Sequence, residues 1–163
     1  MKKSAIVFGL ASCALGLGFT AFNVYWALGG TRWIDTVFPV STNAELTTVM
    51  PLWVEWLAIS LKTAAALFGL ATMPFAIRIL LRLRLLRLVR FGAWVAACCL
   101  TFWGFTQTSF FILLKIKLFN VDYWGDERVI DGHAFLWDPW FLLWGVCLIL
   151  AMRFSKNYHV STI

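Results

Sequence analysis

Charge is what this sequence lacks. Only 13% of its residues are Asp, Glu, Lys or Arg, against about a quarter in water-soluble domains. Hydrophobic residues make up 61%, too many for a soluble fold of this size, so the natural solvent is a bilayer. Histidine is scarce as well, with two in 163 residues. The chain has no H-E-x-x-H pair, no serine elbow and no phosphate-binding glycine loop, and DYWGDERVIDG is not an EF-hand. The usual signatures of metalloprotease, hydrolase, nucleotide and calcium chemistry are therefore missing. His133 and scattered carboxylates have no metal-ligand spacing, and no cofactor is implied. There is no C-x-x-C among the four cysteines, which leaves a thioredoxin-like redox site unsupported. Cys13, Cys98, Cys99 and Cys147 fall in apolar segments, where they are expected to pack between helices. No internal repeat of the kind that builds transporters is visible.

What is there is apolar length. Four segments, at about 4–28, 51–77, 91–114 and 138–154, approach the roughly 20 residues that cross a membrane as a helix. The expected fold is all-α: one integral membrane domain over residues 1–163, a bundle of four transmembrane helices. The start, MKKSAIVFGLASC, resembles an export signal, and Leu10-Ala11-Ser12-Cys13 resembles a lipoprotein box. Apolar residues run on to Leu28, however, so a retained helix accounts for the whole segment.

Cations set the orientation, because cytoplasmic loops collect Lys and Arg. Lys2, Lys3, the run from Arg78 to Arg90, Arg153 and Lys156 fall on one side, and all eight acidic residues fall on the other or at its edge. Both termini are thus expected in the cytoplasm of a bacterial cell, with residues 29–50 and 115–137 outside the plasma membrane. In RILLRLRLLRLVR the arginines alternate with leucines between two spans. Arg78, Arg82, Arg84, Arg87 and Arg90 are expected to meet anionic lipid head groups rather than nucleic acid.

The outer half of the membrane carries the informative polar residues. Lys62 lies eleven residues into the second segment, about 16 Å deep at the helical rise. An ammonium there costs several kcal/mol, so it is expected to face the bundle and find a partner. Glu55, two turns earlier on the same face, could meet it or share a water with it, and Gln107 and Asn23 place polar groups in the outer half of two other helices, where interhelical hydrogen bonds are expected. Six tryptophans cluster at the same edge, Trp137 and Trp140 among them, as a membrane-interface belt that can also rim a pocket. Asp138-Pro139 has the chemistry of a helix start. That start leaves a short last helix, with His133, Asp138, Trp137 and Trp140 at its mouth; the alternative is a helix that begins near His133 and bends at Pro139.

Tyr25-Trp26-Ala27-Leu28-Gly29-Gly30, with Trp33 beyond it, and Asp138-Pro139-Trp140-Phe141-Leu142-Leu143-Trp144-Gly145 carry a resemblance. On these motifs and the helix order, the chain resembles a bacterial family of small four-helix membrane proteins of unknown function. The resemblance implies fold and membrane location but no activity. Gly29-Gly30 permits a sharp turn and Gly145 a close neighbour, an arrangement expected to join helices one and four. Lys62, Glu55, Gln107, Asn23, His133, Asp138, Trp137 and Trp140 form the candidate ligand layer, an outward pocket for an amphiphile or small solute. The alternatives are a structural or accessory subunit, in a homo-oligomer or larger membrane complex, and a membrane enzyme using His133 with Asp138 or Glu55 as acid and base on a lipid-like substrate.

Overall fold

The computed structural model describes residues 2–38, 51–118 and 126–156. Among the described residues all regular structure is helical: α1 (Lys2–Ala27), a short 3-10 helix (Ile34–Thr36), α2 (Leu52–Leu70), α3 (Pro74–Arg82), α4 (Leu86–Lys115), α5 (Glu127–Gly132), a π-helical turn (His133–Trp137) and α6 (Asp138–Ser155). α5, the π turn and α6 form one continuous run. Among the described residues, that run, α1, α2 and α4 are the four helices long and apolar enough to cross a membrane.

The helix ends follow from local chemistry. Past α1, the Gly30 N–H bonds to the Tyr25 carbonyl and the Gly29 N–H to that of Trp26, with Gly29 at φ 91°. This is a Schellman stop, which needs a left-handed residue and so favours glycine. The same bond pattern ends α3 at Arg84 and α4 at Lys117, both at positive φ. The expected second segment is broken. Pro74 has no N–H for the Leu70 carbonyl and its ring crowds that oxygen, so α2 stops and α3 starts afresh. The last helix departs further from expectation. It begins at Glu127, where the Asp126 carboxylate accepts the Arg128 N–H at 3.0 Å, and Asp138 lies inside the helical run. Pro139 is accommodated instead by the π turn before it, which relieves the clash with the Phe135 carbonyl.

The helices pack in the order α2, α1, α6, α4, with α2 and α4 touching only marginally. α1 and the run containing α6 are the central pair, 39% and 44% buried against 17% for each flank. Small residues let the axes approach. A Cβ on Gly104 would strike the backbone of Leu142, and one on Gly145 the backbone of Thr101. Gly9 and Gly69 make the equivalent crossing of α1 and α2. Gly16 makes room for Trp144, whose side chain is 0% exposed. Gly145 therefore joins α6 to α4 rather than to α1, and Gly30 packs on its own Tyr25 ring. Cys13 and Cys147 are buried as packing residues, whereas Cys98 and Cys99 lie on the exposed face of α4.

The described ends of α1 and α6 share one end of the bundle, where Phe8 stacks on Phe154. The arginines of α3 and early α4 lie there too, since Arg90 reaches Ser155. Trp26, Trp33, Trp137 and Trp140 occupy the opposite end.

The α4–α6 seam makes a direct prediction. G104V forces a branched side chain into the Leu142 backbone and should lower stability in detergent by about 1–3 kcal/mol. F102L, on the exposed face of the same helix, should stay within about 0.5 kcal/mol. Equal thermal midpoints for the two variants would contradict this packing.

Candidate functional site

Two polar centres form at the tryptophan-rich end. The first joins α1 to α2. Lys62 Nζ donates to Asn23 Oδ1 at 2.5 Å and lies 5.3 Å from the centroid of the Phe19 ring. Asn23 is held for this task, because its own Nδ2 donates to the Phe19 carbonyl one turn back at 2.8 Å. The ammonium thus gains one strong acceptor and one aromatic face. Glu55, expected as its partner, is half-buried and makes no ion pair with it; among the described residues the ion pairs of this chain lie elsewhere. Gln107 belongs to the far flank, on α4, which scarcely meets α2.

The second centre joins three elements around His133. Its Nδ1 lies 3.0 Å from Asp138 Oδ2 and its Nε2 lies 3.2 Å from the Val37 carbonyl. The ring stacks on Phe111 of α4 at 4.5 Å, nearly parallel. Asp138 is 2% exposed. Two acceptors face one ring, so two protons are needed. Either the imidazole carries both beside an ionised carboxylate, or one has moved onto Asp138. Both arrangements are neutral as a pair, which is what a low-dielectric setting favours. An α-helix would place residues five apart on different faces. The π turn between them closes that gap, since its own hydrogen bonds span five residues.

The tryptophans of this end do two jobs. Trp137, 2% exposed, donates its indole N–H to Thr36 Oγ1 at 3.0 Å, and Trp140 donates to the Leu15 carbonyl inside α1 at 3.0 Å. Both are bundle struts. Trp33, Trp53 and Trp56 are the exposed ones. Phe19 and Phe22 stand between the two polar centres and contact both Trp137 and Trp140. The expected single layer is therefore two separate pairs on either side of an aromatic wall: Lys62 with Asn23, and His133 with Asp138.

Sequence reasoning missed Thr36, Val37, Phe19 and Phe111, which complete these centres. It also missed Arg32. Together with Ala21, Phe22, Tyr25 and Trp33, Arg32 lines a groove of about 500 Å³ along the flank of α1. Trp33 holds φ 64° there, and Phe22 packs on its ring at 5.4 Å. Tyr25 Oη accepts the Arg32 N–H at 3.3 Å, and Trp26 Nε1 donates to the Arg32 carbonyl at 3.0 Å. The motif YWALGG thus builds one wall of the groove as well as the stop of α1. Among the described residues no group of three or more His, Cys, Asp or Glu is placed to hold a metal.

Two stability tests follow from these centres. H133L leaves the Asp138 carboxylate buried without its partner and should lower stability by about 3–5 kcal/mol. The double variant H133L/D138L should recover much of that loss, because an apolar pair leaves no charge behind. A neutral H133L would show that Asp138 needs no partner. For the other centre, a K62M and N23V cycle in detergent should give a coupling of about 0.6 kcal/mol, the usual size for such membrane hydrogen bonds. Strict additivity would remove the bond from the account.

No curated protein and no solved structure matches this chain. The model of a family described as a protein of unknown function, DUF3995, matches residues 16–148. That span runs from the middle of α1 into α6 and covers most of the sequence, so the chain belongs to the DUF3995 family.

Proposed function

We propose that this chain is an integral protein of the bacterial plasma membrane that binds an amphiphile with an anionic head at its outward end. In this reading both termini are cytoplasmic and the tryptophan-rich end faces out. The bias of Lys and Arg toward the other end supports that orientation.

The observation that carries the proposal is the groove on α1. Ala21, Phe22, Tyr25 and Trp33 offer apolar and aromatic surface to a tail, and Arg32 offers a guanidinium to a head group. Trp33 adds a second reason. A left-handed backbone costs a bulky residue about 1–2 kcal/mol, and such strain gathers at ligand clamps. The candidate ligand residues act from behind the groove. Trp137 and Trp140 brace Phe22. Lys62, Asn23, His133 and Asp138 fix the helices that carry it.

A structural or accessory subunit is the second reading. It draws on Lys62, His133 and Asp138 having partners inside the chain, as helix glue requires. Catalysis has less support. Asp138 is buried, and both His133 ring nitrogens are engaged.

The test uses a photoactivatable anionic amphiphile whose head group does not cross the bilayer. Added to right-side-out vesicles holding the full chain, it should label the peptide spanning residues 21–33. Added to inside-out vesicles, it should not. R32Q should lower the labelling about fivefold, the scale of one cation at a membrane surface. Labelling spread evenly over all lipid-facing helices would overturn the proposal.

A further inference from the structure

The two ends of the bundle balance their charges differently. At the tryptophan-rich end, Arg128 pairs with Asp35 at 3.2 Å and Lys115 pairs with Asp131. At the arginine-rich end no such pairing is open, because the sequence has no Asp or Glu between Glu55 and Asp122 and none after Asp138. Cations gathered there have no carboxylate side chain of their own segments to meet.

Three of them converge. Arg90, Arg153 and Lys156, with Trp94 and Met152, line a cavity of about 620 Å³ between the start of α4 and the end of α6. Arg90 is anchored rather than loose. Its Nη1 donates to Ser155 Oγ at 3.3 Å and its Nη2 to the Met152 carbonyl at 3.2 Å. Those bonds occupy two of the five guanidinium N–H groups and satisfy the last turn of α6. They also fix the plane of the fork. Arg153 and Lys156 are exposed, and their side chains make no hydrogen bond or ion pair among the described residues. Trp94 adds an apolar wall with an indole edge, of the kind that settles at a membrane interface.

We propose that this cavity is a binding site for a phosphate-bearing anion. Arg90 supplies oriented N–H donors, Arg153 and Lys156 supply mobile charge, and Trp94 covers the less polar side of the ligand. Planar guanidinium forks match phosphate oxygens in pairs, and an ammonium adds a point charge. The site differs from diffuse attraction along the arginine run, because two of its three cations come from the last turn of α6 and the residue after it, and its central arginine is held by α6. It is also independent of the groove on α1, which lies at the other end of the bundle. The same phosphate chemistry is offered by a phospholipid head group and by a soluble phosphate.

The test keeps the whole chain. Protein is released from phosphatidylcholine nanodiscs that hold a minor fraction of phosphatidylglycerol, and retained lipid is counted by native mass spectrometry. R153Q with K156Q should lower phosphatidylglycerol retention by more than about tenfold; neither side chain holds another element, so the fold is spared. R90K keeps the charge but loses the fork, and it should lower retention as well. Removing equal charge from the arginine run, as R82Q with R87Q, should cost less than about threefold. Equal losses from the two pairs, or no loss from R153Q with K156Q, overturn the site. Inorganic phosphate and glycerol phosphate are then added as competitors. Displacement of the lipid assigns the cavity to a free phosphate, and retention of the lipid assigns it to the head group.

Discussion

A carboxylate inside an apolar helix bundle must be neutralised where it lies, and Asp138 is such a group. Its pairing with His133 explains much of the tryptophan-rich end. The ring that neutralises Asp138 reaches Val37 with its other nitrogen and lies flat on Phe111. One side chain thereby ties the segment after α1, the far half of α4 and the last helix into a single unit. The neighbouring bond from Trp137 to Thr36 repeats the connection one position from Asp138. Without the charge to be matched, nothing in the local sequence would demand this geometry.

The rest of the bundle is joined by different means. In a membrane, helices gain little from hiding apolar surface, since lipid is equally apolar. Contact has to come from close packing and from polar bonds. The glycines at 9, 16, 69, 104 and 145 supply the first. The bonds from Lys62 to Asn23, and from the Trp140 indole to a backbone carbonyl of α1, supply the second. This division also fits the central place of α1 and α6. They carry Gly9, Gly16 and Gly145 and the indoles of Trp140 and Trp144, while α2 and α4 turn Leu61, Phe102, Trp103 and Phe105 outward.

Much of this fold was legible in the residues. Four apolar stretches mark four helices, because hydropathy reports the solvent directly. Asn23 and Lys62 were legible as polar groups on facing helices. Their mutual bond was not, since Glu55 lay on the same helical face as Lys62 and offered the opposite charge. Asp138-Pro139 misled for a physical reason. The dipeptide has the right chemistry for a helix start, but a π turn is a second way to seat a proline, and spacing alone does not reveal it. Arg32 and the groove were hidden because they depend on how the chain folds back after Gly29-Gly30. The cavity around Arg90 joins residues 62 or more positions apart, a separation that no local pattern encodes.

The π turn has a consequence for how the last helix tolerates change. It takes in an additional residue without an additional turn, so α5 and α6 are out of phase with each other by about one residue. The face that Val129 and Gly132 bury is set in one phase, and the face of Trp144, Leu148 and Ala151 in another. A substitution that rewinds these same residues as regular α-helix, with none removed, would bring the two phases together and give a straighter, more regular helix. That helix would carry His133 about 140° away from Asp138. In this molecule, local regularity and correct assembly are opposed over those five residues, and assembly has prevailed.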